Sequence, residues 1–199
     1  MRDVIAIETK RLNLRPIAMS DAPRIARFCD DPGVGRMLAQ TPLPYLEAAA
    51  EGWILTLNAR APLERDFVFA VDVPGEGLIG CVGAHRVENG DVEIGYWFGR
   101  PYWGTGYGSE AVSAFVAQAK VLGQLNAGHF VDNPASGRVL KKAGLPIPAR
   151  PSACSRWGAA KASIACGCAM RRKRRALVPR SAKSCTSKQL VVRAMTFRV

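Results

Sequence analysis

The chain has 199 residues, 48% of them hydrophobic, and a formal net charge of +12. That size and apolar content suit one domain with a real core; no apolar run approaches the roughly 20 residues of a membrane span, and Met1-Arg2-Asp3 leads into a strand pattern instead of a secretory leader, so a cytoplasmic protein is expected. The charge points to nucleic acid only until it is located: thirteen of the 28 basic residues and none of the 16 acidic ones fall in 146–199, which leaves residues 1–145 close to neutral.

Leu12 and Leu14 alternate with polar neighbours between Thr9 and Arg15, which predicts a half-buried strand. Ser20 is placed as the N-cap of a helix with Pro23 in its first turn and Ile25, Ala26 and Cys29 at helical spacing; Asp31-Pro32-Gly33 is expected to stop it. A second helix is predicted over about residues 46–59, carrying Trp53, Ile54 and Leu57, with Pro42 and Pro44 before its start. Residues 67–71, 78–86 and 92–98 read as strands joined by a turn at 74–77 and by the hairpin signal Asn89-Gly90, an antiparallel meander. A helix over about 106–122 and a strand over 125–131 follow, and a helix between two strands favours a parallel return, so the sheet is expected to be mixed. The next helix has Asn133 as N-cap, Pro134 in its first position, Val139, Leu140 and Ala143 facing inward, and Gly144 just past its end.

One stretch organises the rest. Gly104, Gly106 and Gly108 alternate between the β-type run ending at Phe98 and the helix-type run beginning near Val112. Without Cβ atoms in the way, backbone N–H groups converge on an anion while the helix N-terminus adds its positive dipole end, so the stretch reads as a phosphate cradle. It is not a Walker loop, because no lysine lies between Lys10 and Lys120. A dinucleotide fingerprint requires a parallel βαβ setting, and the strands before this loop read as antiparallel.

Glu93-Ile94-Gly95-Tyr96-Trp97-Phe98, the run from Tyr102 to Ala111, and Asp132-Asn133-Pro134-Ala135-Ser136 resemble successive signatures of the GNAT acetyltransferases, in particular the ribosomal-protein-alanine acetyltransferase-like branch. Thr9-Lys10-Arg11-Leu12 and Leu140-Lys141-Lys142-Ala143-Gly144 are similar to that branch as well, so the likeness covers roughly residues 8–145. It implies an α+β fold, a mixed and mostly antiparallel sheet with flanking helices, and acetyl-CoA as acetyl donor. The pyrophosphate would lie on the loop, and the pantetheine arm between diverging strands near 92–98 and 125–131. By resemblance Phe98, Trp103, Gly104, Thr105, Gly106, Tyr107, Gly108, Ser109 and Asn133 contact the donor; Trp103 stands where the wider superfamily has Arg or Gln, which is usual for this branch.

Acetyl transfer to an amine requires a neutral nucleophile, a donor for the thioester oxygen and a proton for the leaving thiolate. An α-amine ionises near 8 and a lysine near 10.4, so deprotonating an N-terminal amine at neutral pH costs about 3.5 kcal/mol less. A protein N-terminus, or else a small-molecule amine, is the expected acceptor. Glu93 is a candidate base working through water, with an exposed strand carboxylate as its plain alternative, and Ser136 matches the serine that the resemblance assigns to the CoA sulfur, with a helix-start serine as its alternative. His85 and His129 lack ligand-spaced partners and read as structural, so no metal is expected. Tyr96, Trp97, Phe98, Tyr102 and Trp103 read mostly as core or loop aromatics, one of which could line an acyl or peptide tunnel.

Beyond Leu145 the pattern breaks. Residues 146–199 lack acids, include Arg171-Arg172-Lys173-Arg174-Arg175, and show a strand hint only at Leu190-Val191-Val192, where the family implies two closing strands. Composition, charge and resemblance change at one place, which points to a shifted reading frame and a largely disordered tail. Two rival functions follow: a CoA-binding but catalytically impaired protein, and a nucleic-acid binder acting through the tail.

Overall fold

The computed structural model describes residues 6–38, 41–87 and 91–147. The expectations placed on the tail, namely a shifted frame, missing strands, disorder and nucleic-acid binding, concern residues that lie almost wholly outside the described ones, as does the Asn89-Gly90 turn.

A sheet runs in chain order through β1 (Ile7–Glu8), β2 (Asn13–Pro16), β3 (Asp66–Val73), β4 (Gly77–Arg86), β5 (Val92–Phe98) and β6 (Leu125–Asn126). Neighbours pair antiparallel as far as β5, and β5 pairs with β6 parallel, the mixed arrangement expected from the intervening helix. The β3–β4 register shifts between Val71 and Asp72, which face Gly80 and Leu78 and leave Ile79 as an extra residue in β4.

Two apolar layers cover the sheet. On one face α1 (Ala22–Cys29) and α3 (Glu47–Arg60) bury Ile25, Trp53, Ile54 and Leu57 against Ala70, Cys81 and Trp97. On the other, α4 (Tyr107–Ala119) and α5 (Pro134–Lys142) bury Val112, Phe115, Val116 and Leu140 against Val82, Ile94, Tyr96 and Phe98. Full burial of an aliphatic side chain such as Ile54 or Ile94 contributes about 1.5–3 kcal/mol. Alternate residues of β5 thus enter separate cores, because side chains along a strand point to opposite faces.

Where the chain leaves the sheet, a forked guanidinium fixes the turn. Arg15 on β2 donates from Nε to Asp72 at 2.6 Å and from its terminal nitrogens to Asp21 at 2.7 and 2.8 Å. Asp21 also accepts from the Ala18 N–H at 2.8 Å, so it is Asp21, not Ser20, that stands before α1; Ser20 lies inside a short 3₁₀ turn. The Asp31-Pro32-Gly33 stop holds, α1 ending at Cys29 with Asp30 as its C-cap, and the same residues open the next element. Asp31 accepts from the Gly33 N–H at 2.7 Å and Pro32 takes the first position of a one-turn helix, α2 (Pro32–Gly35), since aspartate before proline is a helix start as readily as an end.

The predicted strand over 125–131 pairs for only two residues, Leu125 with Val92 and Asn126 with Glu93. Ala127 and Phe130 stay buried without a strand partner. Apolar alternation recorded their burial and not a backbone pairing.

Candidate active site

β5 runs into the site and ends at Phe98; a 3₁₀ turn, Arg100–Tyr102, then leads to the glycine loop. Gly104 and Gly106 have φ of 77° and 88°, left-handed values that glycine adopts without the Cβ penalty. Gly106 precedes α4, and Glu110 N–H is the first to bond back, to Gly106 O at 3.1 Å. The first-turn N–H groups of Gly108 and Ser109 therefore have no intrahelical acceptor and sit at the positive end of the helix. Gly108 lies against the opposite wall: a Cβ there would stand 3.6 Å from the Phe98 ring and 3.8 Å from Val139 of α5.

Trp103 pins the loop to the strand end by donating its indole N–H to Phe98 O at 2.7 Å, while the residue as a whole remains 48% exposed. Thr105 and Tyr107 turn away from the cleft. Thr105 Oγ1 donates to Tyr102 O at 2.7 Å, and the Tyr107 ring lies 4.5 Å under the Arg11 guanidinium. Their backbone, not their side chains, belongs to the loop.

Glu110, in the first turn of α4, does not oppose an anion as a bare carboxylate would. Thr9 Oγ1 donates to it at 2.7 Å, Arg11 N–H at 2.9 Å and Arg11 Nε at 2.8 Å. Partial burial pushes this carboxyl up, but the hydrogen bonds from Thr9 and Arg11 and the charge of Arg11 outweigh it and leave Glu110 below the usual carboxylate range. Arg11 also donates to Thr105 O at 3.1 Å, so the Thr9–Leu12 turn braces the glycine loop across the sheet edge.

A cleft of about 530 Å³ separates this loop from α5 and from the segment after α2. Phe98, Trp103, Gly104, Gly106, Gly108 and Ser109 line one end; Asn133 and Ser136 line the α5 wall. The side chain of Asn133 accepts from Ser136 N–H at 3.1 Å and caps α5, so its capping role and its place on the cleft hold together.

Ser136 is 3% exposed, and its Oγ accepts from the Tyr96 hydroxyl at 2.9 Å. Burial pushes the Tyr96 phenol up to about 12, with the bond to Ser136 pulling the other way, so Tyr96 keeps its proton through the neutral range. With Tyr96 donating, the Ser136 hydrogen is free to point elsewhere. Sequence reasoning placed Tyr96 only among several aromatics; its position on the same β5 face as Phe98 was legible, but its partner 40 residues away was not.

Glu93 does not line this cleft. It sits three residues, about 10 Å of strand, before Tyr96, on the opposite face, in register with His85 and Asn126. His85 is buried and hydrogen-bonds Asp66, Nδ1 to Oδ1 at 2.8 Å; His129 Nδ1 meets Phe130 O at 2.9 Å, and its ring packs on Gly137, where a Cβ would stand 2.7 Å away. The charged groups on the cleft are instead Arg36, Asp132, Arg138 and Lys142. Two of them were not anticipated as a pair: Arg36 donates to Asp132 at 2.8 Å, across the cleft from the segment after α2 to the turn before α5.

Comparison with known proteins agrees with this geometry. Residues 11–146 match the family model described as the acetyltransferase (GNAT) domain. The chain is 31% identical over 145 residues to the N-acetyltransferase YoaA of Bacillus subtilis, covering 70% of this chain and 81% of that protein. It is also 31% identical over 112 residues to the N-acetyltransferase p20 of Bacillus licheniformis, spanning 54% of this chain and 62% of that protein's length. Among solved structures the fold resembles the ribosomal-protein-S5-alanine acetyltransferase of Vibrio fischeri, with a TM-score of 0.61 at 21% identity over 70% of this chain and 82% of the other. It also resembles the microcin self-immunity acetyltransferase MccE in complex with acetyl-CoA and AMP, with a TM-score of 0.59 at 15% identity over 68% and 79%. The chain belongs to the GNAT acetyltransferase family.

Proposed function

From this membership and the cleft, we propose that the chain moves an acetyl group from acetyl-CoA to a primary amine, with a protein N-terminal α-amine as the favoured acceptor, and that residues 8–145 are the catalytic domain. The observation that carries the reading is the single cleft shared by the glycine loop at the N-terminus of α4 and the Tyr96–Ser136 hydroxyl pair. The N–H groups of Gly108 and Ser109 would take the pyrophosphate, with Arg138 and Lys142 adding positive charge to the same cleft. The splay between β5 and β6 would take the pantetheine arm, beside Asn133.

In the reaction the amine nitrogen attacks the thioester carbon and the C–S bond breaks. Ser136, its oxygen already accepting from Tyr96, would give a proton to the departing sulfur and be reprotonated from solvent. The α-amine, with its lower pKa, needs less help to lose its own proton. Glu93, set back on the other face of β5, would act only through a chain of water. No helix among the described residues is long and apolar enough to cross a membrane.

Calorimetric titration with acetyl-CoA, followed by single-turnover acetylation of a peptide beginning with Ala or Ser, tests the reading. Saturable binding and product formation are expected; folded protein that binds no acetyl-CoA refutes it. A second reading, a CoA-binding protein impaired in transfer, is favoured by the single carboxylate on the described cleft, Asp132, being paired with Arg36. Binding without transfer would select it.

A further inference from the structure

Residues of the glycine loop divide between the cleft and its back. Gly104, Gly106, Gly108 and Ser109 line the cleft, whereas Thr105, Tyr107 and Glu110 do not. The set turned away holds the groups that an anion would meet unfavourably: a backbone carbonyl, the negative face of an aromatic ring and a carboxylate.

One guanidinium collects all of them. Arg11 Nη1 donates to Thr105 O at 3.1 Å, its Cζ stands 4.5 Å from the centre of the Tyr107 ring, and its Nε and Nη2 meet Glu110 Oε2 at 2.8 and 2.7 Å. Arg11 itself does not line the cleft. Its backbone is fixed by its neighbours: Thr9 N–H donates to Leu12 O at 2.9 Å, Leu12 N–H donates to Thr9 Oγ1 at 3.0 Å, and Leu12 and Leu14 are buried in the core beneath α4 and α5. The Arg11 side chain is 42% exposed, and an ion pair that open adds little to stability. Folding alone gives little reason for so complete a set of contacts.

We propose that Arg11 is a positioning residue for the phosphate-bearing donor. From behind the loop it cancels the Glu110 charge and holds the Thr105 carbonyl outward, which leaves the Gly108 and Ser109 N–H groups facing the phosphates. Arg11 touches no reacting atom. Without it Glu110 would stand as a bare carboxylate in the helix turn that receives the anion, and like charges repel. The fork matters as well as the charge, because a planar guanidinium holds a carboxylate and a carbonyl at once. The inference rests on the donor-cleft reading above and deepens it.

Calorimetric titration of the full-length protein with CoA, and with pantetheine, the phosphate-free part of the same molecule, tests it. Arg11→Gln is expected to weaken CoA about ten-fold and pantetheine less than about two-fold, since only CoA carries the charge that Glu110 repels. Combining Arg11→Gln with Glu110→Gln removes the uncompensated carboxylate and is expected to return CoA affinity to within about three-fold of the parent. Arg11→Lys keeps the charge and loses the fork, so it should weaken CoA about three-fold; it stands in for Arg11→Gln if that variant does not fold. A purely structural strut would behave otherwise: removing both of its ends would weaken CoA at least as much as removing one, and pantetheine would weaken alongside. Unchanged CoA affinity in Arg11→Gln, no recovery in the double variant, or equal weakening of CoA and pantetheine would overturn the proposal. Failure of the folded parent to bind CoA is a separate result, which would overturn the donor-cleft reading and this proposal with it.

Discussion

Replacing Tyr96 by Phe removes one hydroxyl and leaves the ring in the core between Ile94 and Phe98. The lost contacts are the bond to Ser136 Oγ at 2.9 Å and a longer one to Ser136 O at 3.4 Å. A buried hydrogen bond of this type contributes about 0.5–1.5 kcal/mol, and 1.4 kcal/mol is about ten-fold in rate. Y96F should therefore slow acetyl transfer about three- to ten-fold, whereas S136A, which removes the proton donor itself, should slow it about 100-fold or more. Tyr96 acts through Ser136, so Y96F should add almost nothing in the S136A background, giving a coupling energy near the whole Y96F effect, about 1 kcal/mol. Single-turnover rapid quench at saturating acetyl-CoA reads the rates, and calorimetry checks that acetyl-CoA affinity stays within about two-fold in all three variants. Tyr96 stays protonated below its raised pKa of about 12, so Y96F should introduce no new inflection in the neutral pH profile. Additive losses in the double variant, or a Y96F that lowers Tm without slowing transfer, would refute the assigned role and leave the pair as packing.

Gly106→Ala places a side chain at φ 88°, with its Cβ 3.4 Å from the Arg11 guanidinium; it should cost about 1–2 kcal/mol of stability and weaken acetyl-CoA binding, read by thermal melting and calorimetry. Glu110 has its carboxyl held low in the fold, so on acidification the unfolded chain takes up the proton first; the stabilisation is present above the usual carboxylate range and is lost as pH falls through the lowered value. E110Q should flatten that part of the stability curve, and an unchanged acid slope would show that the Arg11 brace is not coupled to folding. Arg15→Ala strands Asp21, which is 6% exposed, and should cost about 3 kcal/mol, whereas breaking the exposed Arg36–Asp132 pair should cost under about 1 kcal/mol; urea melts compare the two. Burial pushes the thiols of Cys29 and Cys81 well above their ordinary range, so mass mapping after alkylation of the native protein at pH 8 should find both unmodified until denaturant is added.

The strand-to-helix passage was legible because it is written locally. β5 matches its expected limits, Val92–Phe98, and α4 begins one residue after Gly106, where a period of two gives way to a period near four and the glycines supply left-handed turns. Asn133 and Gly144 were legible for the same reason, each being read by its immediate neighbours. What sequence could not show are contacts that the fold makes between distant segments: Tyr96 with Ser136, Glu110 with Thr9 and Arg11, Arg36 with Asp132. The splay after Asn126 was hidden for another reason. Apolar spacing reports which side chains leave water, and Ala127 and Phe130 leave it without pairing to a strand.

The alternation of β5 between two cores has a consequence for how such a chain can change over time. Tyr96 and Phe98 are anchored among the α4 and α5 side chains, and Trp97, between them, among those of α1 and α3. Substitutions in the second layer can reshape the surface around Trp97 while the side chains behind Tyr96 and Phe98 keep their rotamers and spacing. A single strand of seven residues thus lets the two apolar layers it separates drift at separate rates, one held nearly fixed while the other changes.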